Sequence, residues 1–242
     1  ISIIFSRPID CNEEQLGMLY FDTVEKTFMG CNGEEWLPLT KTASDAPPGQ
    51  DKEVPGKNCA KLISEHDVTE NGVYWIDPDG EGGNPPFKVY CDMDNGGWAL
   101  LFTSLEREAD ANEWALSWVE VTEIGKRANN PSPNSNYLLP LNLWTQLDTV
   151  QLRSQRTGNI TLSNFNLSDD GQYRMTFADT NHNGMNYHNG RPLSTVDRDN
   201  DSWGSHCASR GKTFGWYGDC CHLCMTTADG VWPGGTTPYM PS

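Results

Sequence analysis

The sequence is poor in basic residues and has no long apolar run. Its 242 residues include 33 acidic side chains against 17 basic ones, so the formal net charge is −16. A surface this acidic repels nucleic acid and anionic membranes, which argues against both as partners. The longest apolar run covers only residues 98–102, far below the roughly 20 residues of a spanning helix. We therefore expect no membrane insertion, and a divalent cation or a basic partner suits the charge.

The motifs of common enzymes are also missing. There is no Gly-x-Ser-x-Gly, no phosphate-binding loop and no His-Glu-x-x-His. A catalytic pair of Cys224 and His222 would need a free thiol, whereas the even number of cysteines indicates that all are paired. The sequence therefore predicts a protein that is not an enzyme.

What the chain does contain is an even set of cysteines: Cys11, Cys31, Cys59, Cys91, Cys207, Cys220, Cys221 and Cys224. The first six fall as local pairs. Asn159 and Asn166 begin sequons for glycosylation. Reduced cytosolic thiols are the alternative, but paired cysteines together with sequons favour a secreted or extracellular protein. With no signal-peptide pattern at the start, we expect a mature ectodomain, or a piece of a larger cell-surface protein.

The first 45 residues predict a small module of their own. Residues 16–22 and 26–29 are typical of two short strands, closed by Cys11 and Cys31. A lone hairpin is marginal in water, and a disulfide across a loop of this size contributes about 3 kcal/mol. Trp36 and Leu37 are expected to pack over it.

The rest of the chain divides into a linker and one large domain. Residues 46–56, rich in Pro and Gly, are predicted as a linker, and residues 57–242 as the domain. The expected elements are a helical turn at 59–63, some helix within 106–130, and strands at 72–78, 86–93, 98–102, 149–152 and 173–177. Beyond residue 178 no helix is expected, and something other than a core is expected to hold this polar stretch.

Two groups of residues form recognisable motifs. The first is Asn58-Cys59-Ala60, GVYWIDP at 72–78, FKVYCDM at 87–93 and GGW at 96–98, and the second is YHNG at 187–190, STVDRDNDSW at 194–203, Cys207, GWY at 215–217 and Cys221-His222. Over roughly residues 57–235 the chain therefore resembles a known family, the fibrinogen C-terminal-like domain. The resemblance implies an α+β fold: a central, mostly antiparallel sheet, short helices and a long loop-rich calcium and ligand subdomain. The family's C-terminal strand is not expected before Ser242.

Three carboxylates alternate within residues 197–201. Like charges packed this closely cost energy unless a cation neutralises them, although a solvated acidic turn is the alternative. The resemblance implies Ca²⁺ here, held by the carboxylates of Asp199 and Asp201 and by the main-chain carbonyls of Trp203 and Ser205.

The resemblance also implies a ligand pocket beside a disulfide loop that starts at Cys207. Its walls would be Tyr217, His222 and Trp232. Two cysteine pairings remain open: Cys207 with Cys220 and Cys221 with Cys224, or Cys207 with Cys221 and Cys220 with Cys224. A zinc site at Cys221 and Cys224 with His206 and His222 is a further alternative, which an oxidising compartment disfavours.

These features predict an extracellular, calcium-dependent recognition module. The expected ligand is an acetylated glycan or a similar small polar group. The alternative is a structural adhesion or assembly module that binds another extracellular protein and uses calcium for stability alone. Association into a homo-oligomer is compatible with either function.

Overall fold

The computed structural model describes residues 3–4, 10–24, 26–39, 46–104, 112–144, 149–154, 158–178, 180–181, 183–218 and 237–240. The chain forms two compact units, Ile1–Ala46 and Pro47–Ser242. No helix among the described residues is long and apolar enough to cross a bilayer.

The first unit is a four-stranded sheet in the order β1-β2-β3-β4. Its strands are β1 (Ile3–Ile4), β2 (Leu19–Asp22), β3 (Thr27–Cys31) and β4 (Trp36–Pro38). The predicted hairpin is present as the antiparallel pair β2–β3. The sequence analysis missed β1, which pairs in parallel with β2, and β4, which is antiparallel to β3. Both are too short to show a periodicity.

A disulfide and one aromatic contact close this unit. Cys11 and Cys31 are bonded, as predicted. The ring of Trp36 meets the ring of Tyr20 edge-on, with 4.9 Å between centroids, so Trp36 packs on the sheet as expected. Leu37 does not, because strand alternation turns it to the opposite face, where it is 43% exposed.

In the described part of the second unit there are three short α-helices and twelve strands. The helices are α1 (Cys59–His66), α2 (Asn183–His188) and α3 (Cys207–Gly211), and the strands are β5 (Gly72–Ile76), β6 (Phe87–Asp92), β7 (Trp98–Leu100), β8 (Phe102–Thr103), β9 (Tyr137–Leu138), β10 (Thr149–Ser154), β11 (Gly158–Ser163), β12 (Asn166–Leu167), β13 (Met175–Thr176), β14 (Leu193–Ser194), β15 (Gly215–Trp216) and β16 (Thr237–Met240).

The main sheet has six antiparallel strands in the order β11-β10-β16-β7-β6-β5. The last strand of the chain, β16, lies between β10 and β7 and joins the two halves of the sheet. The expectation that the chain lacks a C-terminal strand is therefore wrong. Residues 237–240 carry a proline and too few apolar residues to show a strand pattern in the sequence. They form a strand because they pair with β10 on one side and with β7 on the other.

The predicted linker is also corrected. Gly49 N–H donates to Val54 O at 2.7 Å, and Trp75 N–H donates to Gly49 O at 2.7 Å. Gly56 N–H donates to Trp75 O, and Asp77 N–H donates to Gly56 O. Residues 47–56 therefore run along β5 as part of the second unit. Glycine and proline indicated a linker from composition alone, but here they shape a turn against a strand.

The central segment, for which the sequence indicated only some helix, is anchored on the core. β8 pairs with β9, and Leu139 N–H donates to Leu101 O at 2.7 Å. Between them lies a π-helical turn, Glu120–Ile124. Phe102 and Trp114 are both buried, and the centres of their rings lie 4.8 Å apart.

The region beyond residue 178 differs from expectation in two ways. It contains α2 and α3, which are too short for a helical periodicity to appear in the sequence. It also contributes buried side chains to the main core, namely Met185, Leu193, Phe214 and Trp216. The polar residues between them conceal this contribution in the sequence.

Helix α1 is held tightly against the main sheet. Asn58 Oδ1 accepts Lys61 N–H at 2.7 Å and caps the helix. Cys59 is bonded to Cys91 of β6, which confirms their local pairing. Gly97, in the turn before β7, has a φ of +82°, and a Cβ there would lie 2.6 Å from the Cα of Ala60.

We predict that Gly97→Ala destabilises the domain far more than Gly96→Ala. Both glycines have positive φ, which costs an alanine about 1–2 kcal/mol, but an added Cβ at Gly96 meets nothing within 4 Å. At Gly97 the backbone of α1 must also move, which adds about 1–3 kcal/mol. Urea unfolding of the two variants measures the difference. Equal losses would contradict the close approach of α1.

Candidate calcium and ligand site

The acidic loop after β14 is organised by hydrogen bonds to its own carboxylates. Asp197 Oδ1 accepts the hydroxyl of Thr195 at 2.7 Å and the backbone N–H of Trp118 at 2.8 Å. The guanidinium of Arg198 lies 3.8 Å from the centre of the Trp118 ring. Asp197, the first of the three alternating carboxylates, thus ties the loop to the segment before the π-helical turn.

Asn200 anchors the middle of the loop. Its backbone N–H donates to Ser194 Oγ at 3.0 Å, and its side-chain amide donates to Leu193 O at 2.7 Å. Both partners belong to β14 and are buried. The residues on either side, Asp199 and Asp201, are thereby held close to each other at the end of a fixed strand.

Both oxygens of the Asp201 carboxylate hold backbone N–H groups. Its Oδ1 accepts Trp203 N–H at 2.9 Å, and its Oδ2 accepts the N–H of Cys207, the first residue of α3, at 2.9 Å. Asp199 is exposed, and among the described residues its carboxylate accepts a backbone N–H only from Asp201, at 3.3 Å. Asp199 is therefore free of the structural role that Asp201 performs.

The electrostatics of the pair favour a cation. Burial raises the pKa of Asp201, and the neighbouring carboxylate of Asp199 raises it further, against the lowering effect of the two backbone N–H donors. A carboxyl whose pKa is raised in the folded state contributes stability below its unfolded pKa and loses it as the pH rises through the folded pKa. At neutral pH the ionised pair is thus unfavourable by itself, and a bound cation would reverse this.

The remaining predicted ligands are main-chain carbonyls in the same bend. Trp203 is 50% exposed, and no described residue donates a hydrogen bond to its carbonyl. Ser205 Oγ accepts from Arg210 at 3.1 Å. Within the described ranges no three His, Cys, Asp or Glu side chains are grouped as a metal site. Two carboxylates completed by carbonyl oxygens would still suit Ca²⁺, which prefers oxygen ligands.

A second set of bonds joins this loop to the predicted pocket. The backbone N–H of Ser202 and its hydroxyl both donate to Gly218 O, at 3.2 and 3.1 Å. The sequence analysis did not single out Ser202. The one feature of the sequence that could have indicated Ser202 is its position between Asp201 and Trp203, two predicted calcium ligands. The acidic loop therefore positions the residue that follows Tyr217.

Tyr217 is buried rather than open to solvent. It is 1% exposed and packs in a small cluster with Cys207 and Ala208, and burial raises the pKa of its hydroxyl. Cys207 is disulfide-bonded. The candidate partners Cys220 and Cys221, together with Cys224, His222 and Trp232, lie outside the described residues. Which thiol Cys207 takes thus stays open.

Two histidines near this region make hydrogen bonds to main-chain carbonyls. His206 Nε2 lies 2.7 Å from Thr195 O, which fits an N–H donor there rather than a zinc ligand. His188 is buried, and its Nδ1 donates to Trp216 O at 2.6 Å. Both histidines orient segments of the site by hydrogen bonding.

Two further residues border the site, namely Tyr187 of the YHNG stretch and Arg191, which no motif indicated. The guanidinium of Arg191 lies 5.5 Å from the centre of the Tyr187 ring. A Cβ added at Gly218 would come within 2.7 Å of the Tyr187 hydroxyl and 3.1 Å of the guanidinium carbon. Arg191 follows the end of α2 by three residues, so only tertiary structure shows its contact with Gly218.

The two sequons occupy strands. Asn159 lies in β11, and Asn166, the first residue of β12, is exposed. Their use for glycosylation remains a prediction.

The fold and the acidic loop together match a known family. A sequence profile described as the fibrinogen beta and gamma chains, C-terminal globular domain, matches residues 55–236. The chain belongs to the fibrinogen C-terminal domain family. Fibrinogen C-terminal domains are non-enzymatic recognition modules of extracellular proteins. This confirms the predicted fold class and, at the level of the family, the prediction of a recognition module without enzymatic activity.

Individual relatives of this fibrinogen C-terminal domain are distant. Tenascin of Gallus gallus is 29% identical over 68% of the chain and 9% of its own length. The fibrinogen beta chain of Petromyzon marinus is 26% identical over 83% of the chain and 50% of its own length. The chain thus spans half or less of these two relatives.

Solved structures share the fold. The fibrinogen-like globe domain of human ANGPTL6 superposes with a TM-score of 0.61 at 22% identity, covering 81% of this chain and 97% of that domain. The lamprey fibrin D-dimer complexed with the peptide Gly-His-Arg-Pro-amide has a TM-score of 0.53 at 22% identity, covering 67% of this chain and 57% of that chain.

We predict that Asp201 and Asp199 of this fibrinogen C-terminal domain differ sharply when no calcium is present. In EDTA, Asp201→Ala leaves two backbone N–H groups without their acceptor and lowers the free energy of unfolding by about 1–3 kcal/mol. Asp199→Ala removes one long hydrogen bond at an exposed site and changes the free energy of unfolding by less than about 0.5 kcal/mol. Denaturant unfolding in EDTA measures both. Equal losses would contradict the structural role given to Asp201.

Proposed function

We propose that this domain is a secreted or cell-surface recognition module that binds Ca²⁺ and uses it to hold a ligand site. The carboxylates of Asp199 and Asp201 and the carbonyls of Trp203 and Ser205 would hold the ion. The observation that carries this proposal is the carboxylate pair itself: two acidic groups are kept close together by Asn200, and the pKa of Asp201 is raised by burial and further by the neighbouring Asp199.

The hydrogen bonds around the ion site supply a reason for calcium to matter beyond stability. Asp201 fixes Trp203 and the start of α3, while Ser202 holds Gly218 through two donors. An ion on the carboxylate pair would neutralise their repulsion and so favour the loop conformation in which Ser202 reaches Gly218. The ion and the proposed pocket would therefore be coupled.

For the ligand we propose an acetylated glycan or a similar small polar group, bound beside the Cys207 disulfide loop. Tyr217 packs against Cys207 and would form the base of the pocket, with His222 and Trp232 as its walls. The neighbouring backbone of Gly218 is held in place by Ser202.

A structural adhesion module is the second candidate, and exposed apolar side chains favour it. Val119, which precedes the π-helical turn, and Ile124, its last residue, are 47% and 58% exposed, and Trp203 of the acidic loop is 50% exposed. Large apolar side chains in water suit a protein partner. The supposed lack of a final strand no longer counts towards this candidate, since β16 is in the sheet.

We predict that calcium raises the melting temperature and that Asp199→Ala abolishes the effect. An ion at about a hundredfold excess over its Kd stabilises the folded state by about 2.7 kcal/mol, which corresponds to about 5–10 °C for a domain of this size. Thermal melts with calcium and with EDTA measure the shift. Because Asp199→Ala leaves the EDTA melt unaltered, it isolates binding from folding. Identical melts of the wild type in the two buffers would refute the calcium site.

We predict that the wild type is retained on a resin bearing N-acetyl groups and that His222→Ala is not. His66→Ala is the matched control, because His66 is an exposed histidine on α1. Tyr217→Ala is unsuitable, since truncating a buried aromatic ring costs about 3–5 kcal/mol. The measurement is the retained fraction with calcium and with EDTA. A wild type that passes straight through the resin would exclude the glycan ligand and favour adhesion.

A further inference from the structure

The arginine at the end of α2 occupies a rigid position beside the proposed pocket. The backbone N–H of Arg191 donates to His188 O at 3.2 Å, and its carbonyl accepts from Met175 N–H at 3.2 Å. Gly190 N–H donates to Met175 O at 2.7 Å. The main chain of Arg191 is therefore fixed on both sides to β13, and its side chain leaves from a defined point.

The guanidinium of Arg191 lies near an aromatic ring and near the chain after Tyr217. The centre of the ring of Tyr187, four residues earlier, is 5.5 Å away. The main chain of Gly218 approaches both side chains, so that a Cβ there would lie 2.7 Å from the Tyr187 hydroxyl and 3.1 Å from the guanidinium carbon. Arginine stacks well on aromatic faces, which restrains its planar group without using its N–H donors.

Arg191 has no anion beside it among the described residues. Across that part of the chain, no carboxylate or carbonyl accepts a hydrogen bond from its guanidinium, although the side chain is partly buried. Lys61, Lys126 and Arg174 do have acidic partners, whereas Arg198, over the ring of Trp118, resembles Arg191. Arg191 differs from Arg198 in its place next to Gly218.

The overall charge bears on which anions can bind. With 33 acidic side chains against 17 basic ones, an external anion is repelled by most of the surface. An anion would therefore need a local, preformed donor group. A restrained guanidinium binds a carboxylate or a sulfate with two parallel hydrogen bonds.

We propose that Arg191, stacked on Tyr187 beside Gly218, is an anion-binding subsite that receives a carboxylate or sulfate group. It deepens the proposed function, on which it rests for the rest of the ligand: the acetylated ligand is then an acidic one. The ring orients the guanidinium, and the close main chain of Gly218 places the subsite next to the pocket residues.

The experiment separates the subsite from the pocket by using an inorganic probe. Sodium sulfate is titrated into the whole chain at constant ionic strength while the side-chain Nε–H signal of Arg191 is followed by NMR. Arg191→Met should weaken sulfate binding at least about tenfold, since a hydrogen bond to a charged group is lost. Arg191→Lys keeps the charge but not the paired donors and should fall between the two.

Arg127→Met is the matched control. It removes the same charge from an exposed position, so sulfate affinity should change by less than about twofold. Equal weakening by Arg127→Met and Arg191→Met would overturn the subsite and leave only a general charge effect. An Arg191 Nε–H signal that does not move with sulfate in the wild type would overturn it too, whatever the variants do to folding.

A pair of sugars then relates the subsite to the ligand. The wild type should bind N-acetylneuraminic acid more tightly than N-acetylglucosamine, and Arg191→Met should remove that preference while keeping the weaker binding of the neutral sugar. If neither sugar binds, the acetylated-glycan function fails, and the sulfate titration alone decides the subsite. A preference that survives in Arg191→Met would overturn the proposed role in ligand choice.

Discussion

The Asp201 carboxylate is the interaction on which the candidate site depends. One oxygen holds the bend at Trp203 and the other holds Cys207 at the start of α3, so a single side chain connects the acidic loop to the disulfide-bonded segment. Burial raises the pKa of this carboxylate, and the neighbouring Asp199 raises it further. The ionised form of the group that organises the loop is thus unfavourable by itself, which is the basis of the Ca²⁺ site proposed above.

The described part of the site is held in place because it is continuous with residues of the main core. Phe214 packs near Phe102 and Trp114, and the indole N–H of Trp216 donates to Tyr173 O at 2.6 Å. The next two residues, Tyr217 and Gly218, therefore leave a fixed strand. Loops held at such points can keep a binding geometry with little regular structure of their own.

Much of the fold could be predicted where runs of aromatic and β-branched residues are bounded by turn residues. This was sufficient for β5 and β6, and the even number and local spacing of the cysteines indicated the pair Cys59–Cys91. It failed at β16, whose four residues become a strand only through neighbours on both sides, and at residues 47–56, whose glycines and prolines resemble a linker until β5 supplies their partners. In the site, the carboxylates were visible as a spacing, whereas Ser202 and Arg191 acquire a role only through Gly218.

The sequence by itself determined the charge, the pairs Cys11–Cys31 and Cys59–Cys91, and the family, because each is carried by residue identity and spacing along the chain. Only the tertiary structure showed which carboxylate of the acidic loop accepts hydrogen bonds from distant residues and which remains exposed. Asp197 binds Trp118 N–H, 79 residues away, while Asp199 remains exposed. It also brought Arg191 to Gly218. Contacts between residues so far apart depend on how the chain returns on itself, which local patterns do not encode.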